Sequence, residues 1–172
     1  MLTIKQVNDM ATAELTELLG QCCAAQNWVN RLAEARPFTS LEDMQTEAAA
    51  IWQNLNSDDY LEAFSAHPMI GDLTSLQKKF ANTASTAASE QAATTEADDA
   101  TLQKLHQLNH EYKDKHGFIF IIFASGKSAN EMLTALESRL NNDSATEIAN
   151  AAAEQLNITQ LRIRKLFSME SL

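Results

Sequence analysis

Turn-forming residues are scarce in this 172-residue chain, which has four glycines and two prolines. Antiparallel β architectures need many tight turns, and tight turns draw on glycine and proline, so a sheet-based fold is disfavoured. Cysteine is rarer still, confined to the adjacent pair Cys22 and Cys23. Sequence neighbours rarely reach disulfide geometry, and two thiols do not complete a structural zinc site. They read as helix residues with one thiol facing the core, since free cysteine is commonly buried. Positive charge is also short: 13 Lys and Arg stand against 23 Asp and Glu, a formal net charge of −10. That balance argues against nucleic acid and anionic membranes as partners, because both attract basic surfaces. Long apolar runs are missing too. The longest, Phe118 to Ala124, falls far short of a bilayer span. Met1 to Gln6 lacks the apolar core of a secretion signal, and Met169-Glu170-Ser171-Leu172 is no recognised retention or peroxisomal signal. A cytoplasmic location is therefore expected.

What is present is helix-forming. Hydrophobic residues make up 45% of the chain, and Ala, Leu, Glu and Gln are abundant. The length suits one domain, residues 1–172, with a full core and little room for another. Apolar residues recur at spacings of three and four: Leu15/Leu18/Leu19/Cys22, Leu41/Met44/Ala48/Ile51, Leu102/Leu105/Leu108/Tyr112, Met132/Leu133/Leu136/Leu140 and Ile148/Ala152/Leu156. Ser40, Ser57, Ser128 and Ser144 mark helix starts, and Ser128-x-x-Glu131 and Ser144-x-x-Glu147 spell capping boxes. The pattern predicts an all-α, single-domain bundle of about seven or eight helices, the longest at roughly 96–116 and 145–167.

Two stretches interrupt it. His67 to Asp72 contains Pro68 and Gly71, so the preceding helix must end there. Gly117 to Ser125 is nearly all apolar, and a lone strand would have no partner, so a buried, non-helical segment is predicted.

Several possible sites compete. His106 and His110 sit four apart on one predicted helix, a possible metal-pair spacing, but no third ligand completes a set. They read as exposed histidines, and no metal is expected. Ser125-Gly126-Lys127-Ser128 looks like the end of a phosphate-binding loop, yet Ile121 stands where that loop's first glycine belongs. Nucleotide binding is not expected. His67, on a corner stiffened by Pro68 and followed by Gly71, is well placed to handle a proton near neutral pH. The same residue could equally be a helix C-cap favoured by the dipole. From Phe80 to Thr95, Glu90 is the lone ionisable side chain, beside Gln91. It is either a solvated charge or a carboxylate aimed at a polar ligand.

Together these pieces resemble the 2-oxo-4-hydroxy-4-carboxy-5-ureidoimidazoline (OHCU) decarboxylases of urate breakdown, in their bacterial form. The resemblance runs over nearly the whole chain. It is carried by Arg36-Pro37-Phe38, His67-Pro68-x-Ile70-Gly71, Glu90-Gln91, Asn109-x-x-Tyr112-x-x-Lys115-x-Gly117-Phe118-x-Phe120-Ile121 and Arg139-Leu140-Asn141. Glu147, Glu154, Ile158 and Leu161-Arg162 complete it. Ala87 stands where many members carry Ser, and Ile119 where many carry Pro. The resemblance implies an all-α fold, no cofactor, a homodimer, and decarboxylation of the ureidoimidazoline to (S)-allantoin. It puts His67 and Glu90 in the catalytic positions. Pro68, Ala87, Ala88, Ser89, Glu90, Gln91, Phe120, Ile121, Ile122, Phe123 and Ala124 take the substrate-lining positions. The competing readings are a non-catalytic helical binding module and a decarboxylase of a related ureido ring.

Overall fold

Helix starts in the computed structural model follow capping chemistry, over a description that covers residues 1–69 and 95–167, without the side chains of 95–98. The described chain forms α1 (Ile4–Asp9), α2 (Thr12–Cys22), α3 (Gln26–Glu34), α4 (Leu41–Gln53), α5 (Ser57–Ser65), α6 (Thr95–His116), α7 (Ala129–Leu140) and α8 (Ser144–Leu166). The extended pairing among the described residues is one isolated parallel bridge, Leu2 to Phe167. The all-α expectation holds, and so do the positions of the two longest helices. Ser40 caps α4 by accepting from the Asp43 N–H at 3.0 Å. Ser128 and Glu131 form the expected reciprocal box on α7.

Two expected starts need correction. Asn56 rather than Ser57 caps α5, accepting from the Asp59 N–H at 3.1 Å while Asp59 accepts from the Asn56 N–H at 3.2 Å. An Asn carboxamide caps as well as a Ser hydroxyl, so the start moves back one residue. At α8 the Ser144–Glu147 box does not form. Asp143 accepts from the Thr146 N–H at 2.8 Å, and the Glu147 side chain turns inward.

The chain divides into two compact units, Met1–Ala66 with Ala152–Leu172, and His67–Ala151. In the first unit Leu15, Leu19, Trp28, Leu32, Met44, Phe64 and Phe167 are fully enclosed. The two indoles meet their polar needs through backbone carbonyls: Trp28 Nε1 donates to Ala48 O at 3.0 Å and Trp52 Nε1 to Ala152 O at 2.9 Å. Cys22 and Cys23 are both buried, against the expectation of one. Cys22 closes α2, and extended backbone at Cys23 (φ −152, ψ 128) ends the helical alternation that would have turned the second thiol outward. Burial pushes the two thiols up, to about 12 and about 11. Arg36, next to the cis-linked Pro37, donates to Ala33 O at 2.9 Å, Met10 O at 2.6 Å and Thr12 Oγ1 at 2.9 Å, tying α1, α2 and α3 together. Arg36-Pro37-Phe38 is thus a structural corner of the first unit.

In the second unit α6 packs along α7. Leu102, Leu105 and Tyr112 of α6 and Met132 and Leu136 of α7 are buried. Among the described residues no helix is long and apolar enough to cross a membrane.

Candidate active site

The segment that follows α6 is shaped by its two ends. Gly117 has φ +80 and its N–H donates to Lys113 O at 2.8 Å, a left-handed helix stop that a side chain would strain. At the other end Lys127 N–H donates to Ala124 O at 3.1 Å, with Gly126 at φ +75 in the turn, after which Ser128 starts α7. The apparent phosphate-loop remnant is therefore a turn and a helix cap. Between the glycines the chain is neither helix nor strand, with Phe118, Phe120 and Ile121 buried and Ile122, Phe123 and Ala124 half-buried. The sequence reading of a buried irregular segment is correct for its first half.

Apolar faces alone do not hold this segment. The Tyr112 ring meets Phe118 edge-on at 5.8 Å and Phe120 at 5.3 Å between centroids. The Arg139 guanidinium lies over the Phe120 ring at 4.5 Å. One arm of that guanidinium, Nη1, donates to Ile121 O at 2.8 Å, while Nε donates to Glu147 Oε1 at 2.8 Å. The Glu147 carboxylate, with no solvent exposure, is surrounded by donors. Tyr112 Oη donates to Oε1 at 2.6 Å. Asn142 Nδ2 and Asn150 Nδ2 donate to Oε2 at 2.9 and 2.7 Å. Burial pushes the Glu147 carboxyl up, and hydrogen bonds from Asn142, Tyr112, Asn150 and Arg139 together outweigh it, leaving the group below its ordinary value. Burial, then the bond to Glu147, raises the Tyr112 phenol. Glu147 is thus held as a carboxylate and Tyr112 as a neutral donor.

His67 directly follows the C-cap of α5, Ala66, and is half-buried, with Pro68 exposed and Met69 half-buried behind it. The helix ends where Pro68 requires. Ala87, Ala88, Ser89, Glu90 and Gln91 lie outside the described residues, as do Ile70 and Gly71. His67, Pro68 and Phe120 to Ala124 all belong to the second unit.

The remaining histidines sort differently. His110 is exposed as expected, but His106 is half-buried with its Nδ1 enclosed and, among the described residues, unpaired, and the two rings meet edge-on at 4.8 Å. His116 is buried, its Nδ1 bonded to Ser144 Oγ at 2.8 Å. Among the described residues no group of three His, Cys, Asp or Glu side chains could hold a metal ion.

The Arg139–Glu147 pair escaped the sequence reading as a functional unit, although both residues carry a signal. Arg139 continues the Met132/Leu136 stripe, which places a cation on the apolar face of α7. Glu147 heads the buried line Glu147/Ala151/Gln155/Thr159/Ile163 of α8 at spacings of four. A charge on a buried stripe needs a partner, and each residue is the other's.

A family model described as OHCU decarboxylase matches residues 8–164 of the chain. A uric acid degradation bifunctional protein of Arabidopsis thaliana is 45% identical over 150 residues, covering 86% of this chain and 45% of that protein. A Haloferax volcanii 2-oxo-4-hydroxy-4-carboxy-5-ureidoimidazoline decarboxylase is 26% identical, with 98% of each chain covered. This chain spans less than half the length of the bifunctional relatives it matches, between 32% and 45% of them. A solved structure of an OHCU decarboxylase in the presence of (S)-allantoin superimposes with a TM-score of 0.69 at 38% identity, covering 88% of this chain and 96% of that one.

Proposed function

The chain belongs to the OHCU decarboxylase family, and from that premise we propose that it converts 2-oxo-4-hydroxy-4-carboxy-5-ureidoimidazoline to (S)-allantoin and carbon dioxide in urate breakdown. The observation that carries this is the 38% identity and near-complete overlap with a decarboxylase solved in the presence of (S)-allantoin. The match is continuous from residue 8 to 164 and includes both compact units, which supports a single functional domain.

The substrate's carboxylate sits on a ring carbon beside a ring imine. When the bond to the carboxylate breaks, its electron pair moves into that imine, so the substrate supplies its own electron sink. Carbon dioxide leaves and the imine nitrogen that received the pair takes a proton; the ring hydroxyl then becomes a carbonyl as it gives up its proton, and the adjacent ring carbon takes a proton on one face. One proton is consumed overall. This chemistry supports a cofactor-free reaction.

The protein's task is proton traffic and orientation. His67, on its proline-stiffened corner, hydrogen-bonds the ring hydroxyl and moves the proton. Glu90 accepts hydrogen bonds from ring or ureido N–H groups, and Gln91 pairs with a carbonyl and an N–H. Pro68 and Ala87 to Ser89 line the ring, and the backbone of Phe120 to Ala124 reads its edge. The apolar side chains of that segment exclude water and so strengthen the polar contacts.

The test is turnover of freshly generated ureidoimidazoline by His67→Ala beside the wild type. We expect a loss of about 10²–10⁴-fold at an unchanged melting temperature. A wild-type rate would end the assignment. We further propose a homodimer, checked by light scattering in solution, and a cytoplasmic location. Two buried thiols that are not joined suit a reducing compartment.

A further inference from the structure

We propose that Arg139 is a positioning residue for this reaction: it turns the Ile121–Ile122 peptide so that the Ile122 N–H faces the substrate as a donor to one of its oxygens. The proposal rests on the reading that Phe120 to Ala124 lines the substrate.

The Ile121 carbonyl is taken by Arg139 Nη1 at 2.8 Å. In a planar trans peptide the carbonyl of one residue and the N–H of the next point in opposite directions. Pinning Ile121 O toward α7 therefore aims the Ile122 N–H away from α7. Among the described residues nothing accepts from that N–H. Ile122 is half-buried, in a segment that has no ladder or helix to use its backbone groups. A donor held this way, in a segment of aromatic and aliphatic residues, fits a carbonyl or carboxylate oxygen of a planar ring.

Arginine suits this task and lysine does not. The planar fork presents Nε and Nη1 in fixed relative directions, so one side chain meets both Glu147 Oε1 and Ile121 O. Glu147 cannot swing, because Tyr112 shares Oε1 and Asn142 and Asn150 occupy Oε2. The Phe120 ring at 4.5 Å closes one face of the guanidinium. The third nitrogen, Nη2, is buried without a partner among the described residues. A buried donor left unpaired is costly, so the site sacrifices one bond to keep the other two in register.

Arg139→Lys keeps a cation beside Glu147 but loses the fork. An oxygen contact made equally in substrate, transition state and product affects KM and not kcat. We expect KM to rise about tenfold with kcat within about twofold, and the Kd for (S)-allantoin to rise by the same factor as KM. A merely structural Arg139 would lower the folded fraction, and hence apparent kcat, at unchanged KM. Folded Arg139→Lys with wild-type KM and wild-type allantoin affinity overturns the proposal. If that variant does not fold, the wild-type protein still decides. On saturation with (S)-allantoin its Ile122 amide resonance should shift among the most, and an unmoved Ile122 amide overturns the proposal. A wild-type protein that neither turns over the ureidoimidazoline nor binds (S)-allantoin overturns the functional reading itself, a result separable from any property of the variant.

Discussion

Trp28 and Glu147 are both fully buried, one in each unit, and their surroundings differ in kind. Trp28 is an uncharged ring and needs one acceptor, the Ala48 carbonyl. Glu147 carries a charge and needs four donors, drawn from Tyr112, Arg139, Asn142 and Asn150. The first kind of core tolerates exchange among residues of similar volume, because burial is non-directional. The second specifies direction: each donor must come from one place, and Arg139 carries that order on to the Ile121 carbonyl. The irregular segment has no helix of its own and, among the described residues, no strand partner; a charge network positions it where a ladder would otherwise do so. The buried Arg139–Glu147 ion pair lies in the unit that carries the candidate site.

Breaking the network tests this contrast most strongly. Glu147→Ala leaves Arg139 buried without its counter-charge, and such losses run to about 3–5 kcal/mol. Leu19→Ala in the first unit, a cavity substitution, costs about 2–5 kcal/mol. Denaturant melts will not separate the two by size alone. Kinetics will: Leu19→Ala should leave the KM of the folded fraction unchanged, while any Glu147→Ala that folds should show a raised KM.

Acid tests the network through the charge of Glu147. The folded Glu147 carboxyl lies below its ordinary value of 4.5. A group depressed on folding contributes stability that is present above the unfolded value and lost as pH falls through the folded one. Wild-type melting temperature should therefore drop below pH 4.5 more steeply than that of Glu147→Gln. Parallel curves for the two proteins would show that the network contributes nothing to the acid limb.

A smaller effect is expected at the edge of the segment. Gly117→Ala forces an alanine to φ +80, at a cost of about 1–2 kcal/mol, read as a shift in denaturant midpoint. Space is not the obstacle, since among the described residues a β-carbon there meets no atom within 4 Å. A neutral result would mean that the left-handed stop is not what ends α6.

The parts of this molecule that could be read from its sequence are those with local causes. Ser40 and Ser128 cap helices because hydroxyl and N–H lie three residues apart. Pro68 ends α5 by its own ring. Gly117 opens an apolar run to Ser125 that, among the described residues, has no partner strand. What stayed hidden depends on residues distant in the chain. Arg139 reaches back to Ile121, and Glu147 to Tyr112. Ser144-x-x-Glu147 spelled a capping box, but the carboxylate found a fuller set of donors inward, and Asp143 was available to cap in its place. Asn56 displaced Ser57 for a similar reason, a second competent cap one residue away. The corner at His67 and Pro68 after α5 was legible, whereas the Glu90–Gln91 pair it was matched with lies outside the described residues.

The most direct test of the account is circular dichroism during urate oxidation, with the wild-type protein added as the ureidoimidazoline forms. The account predicts that the (S)-allantoin signal will appear at a rate proportional to protein concentration. Slow formation of optically inactive allantoin, at a rate independent of the protein, would contradict it.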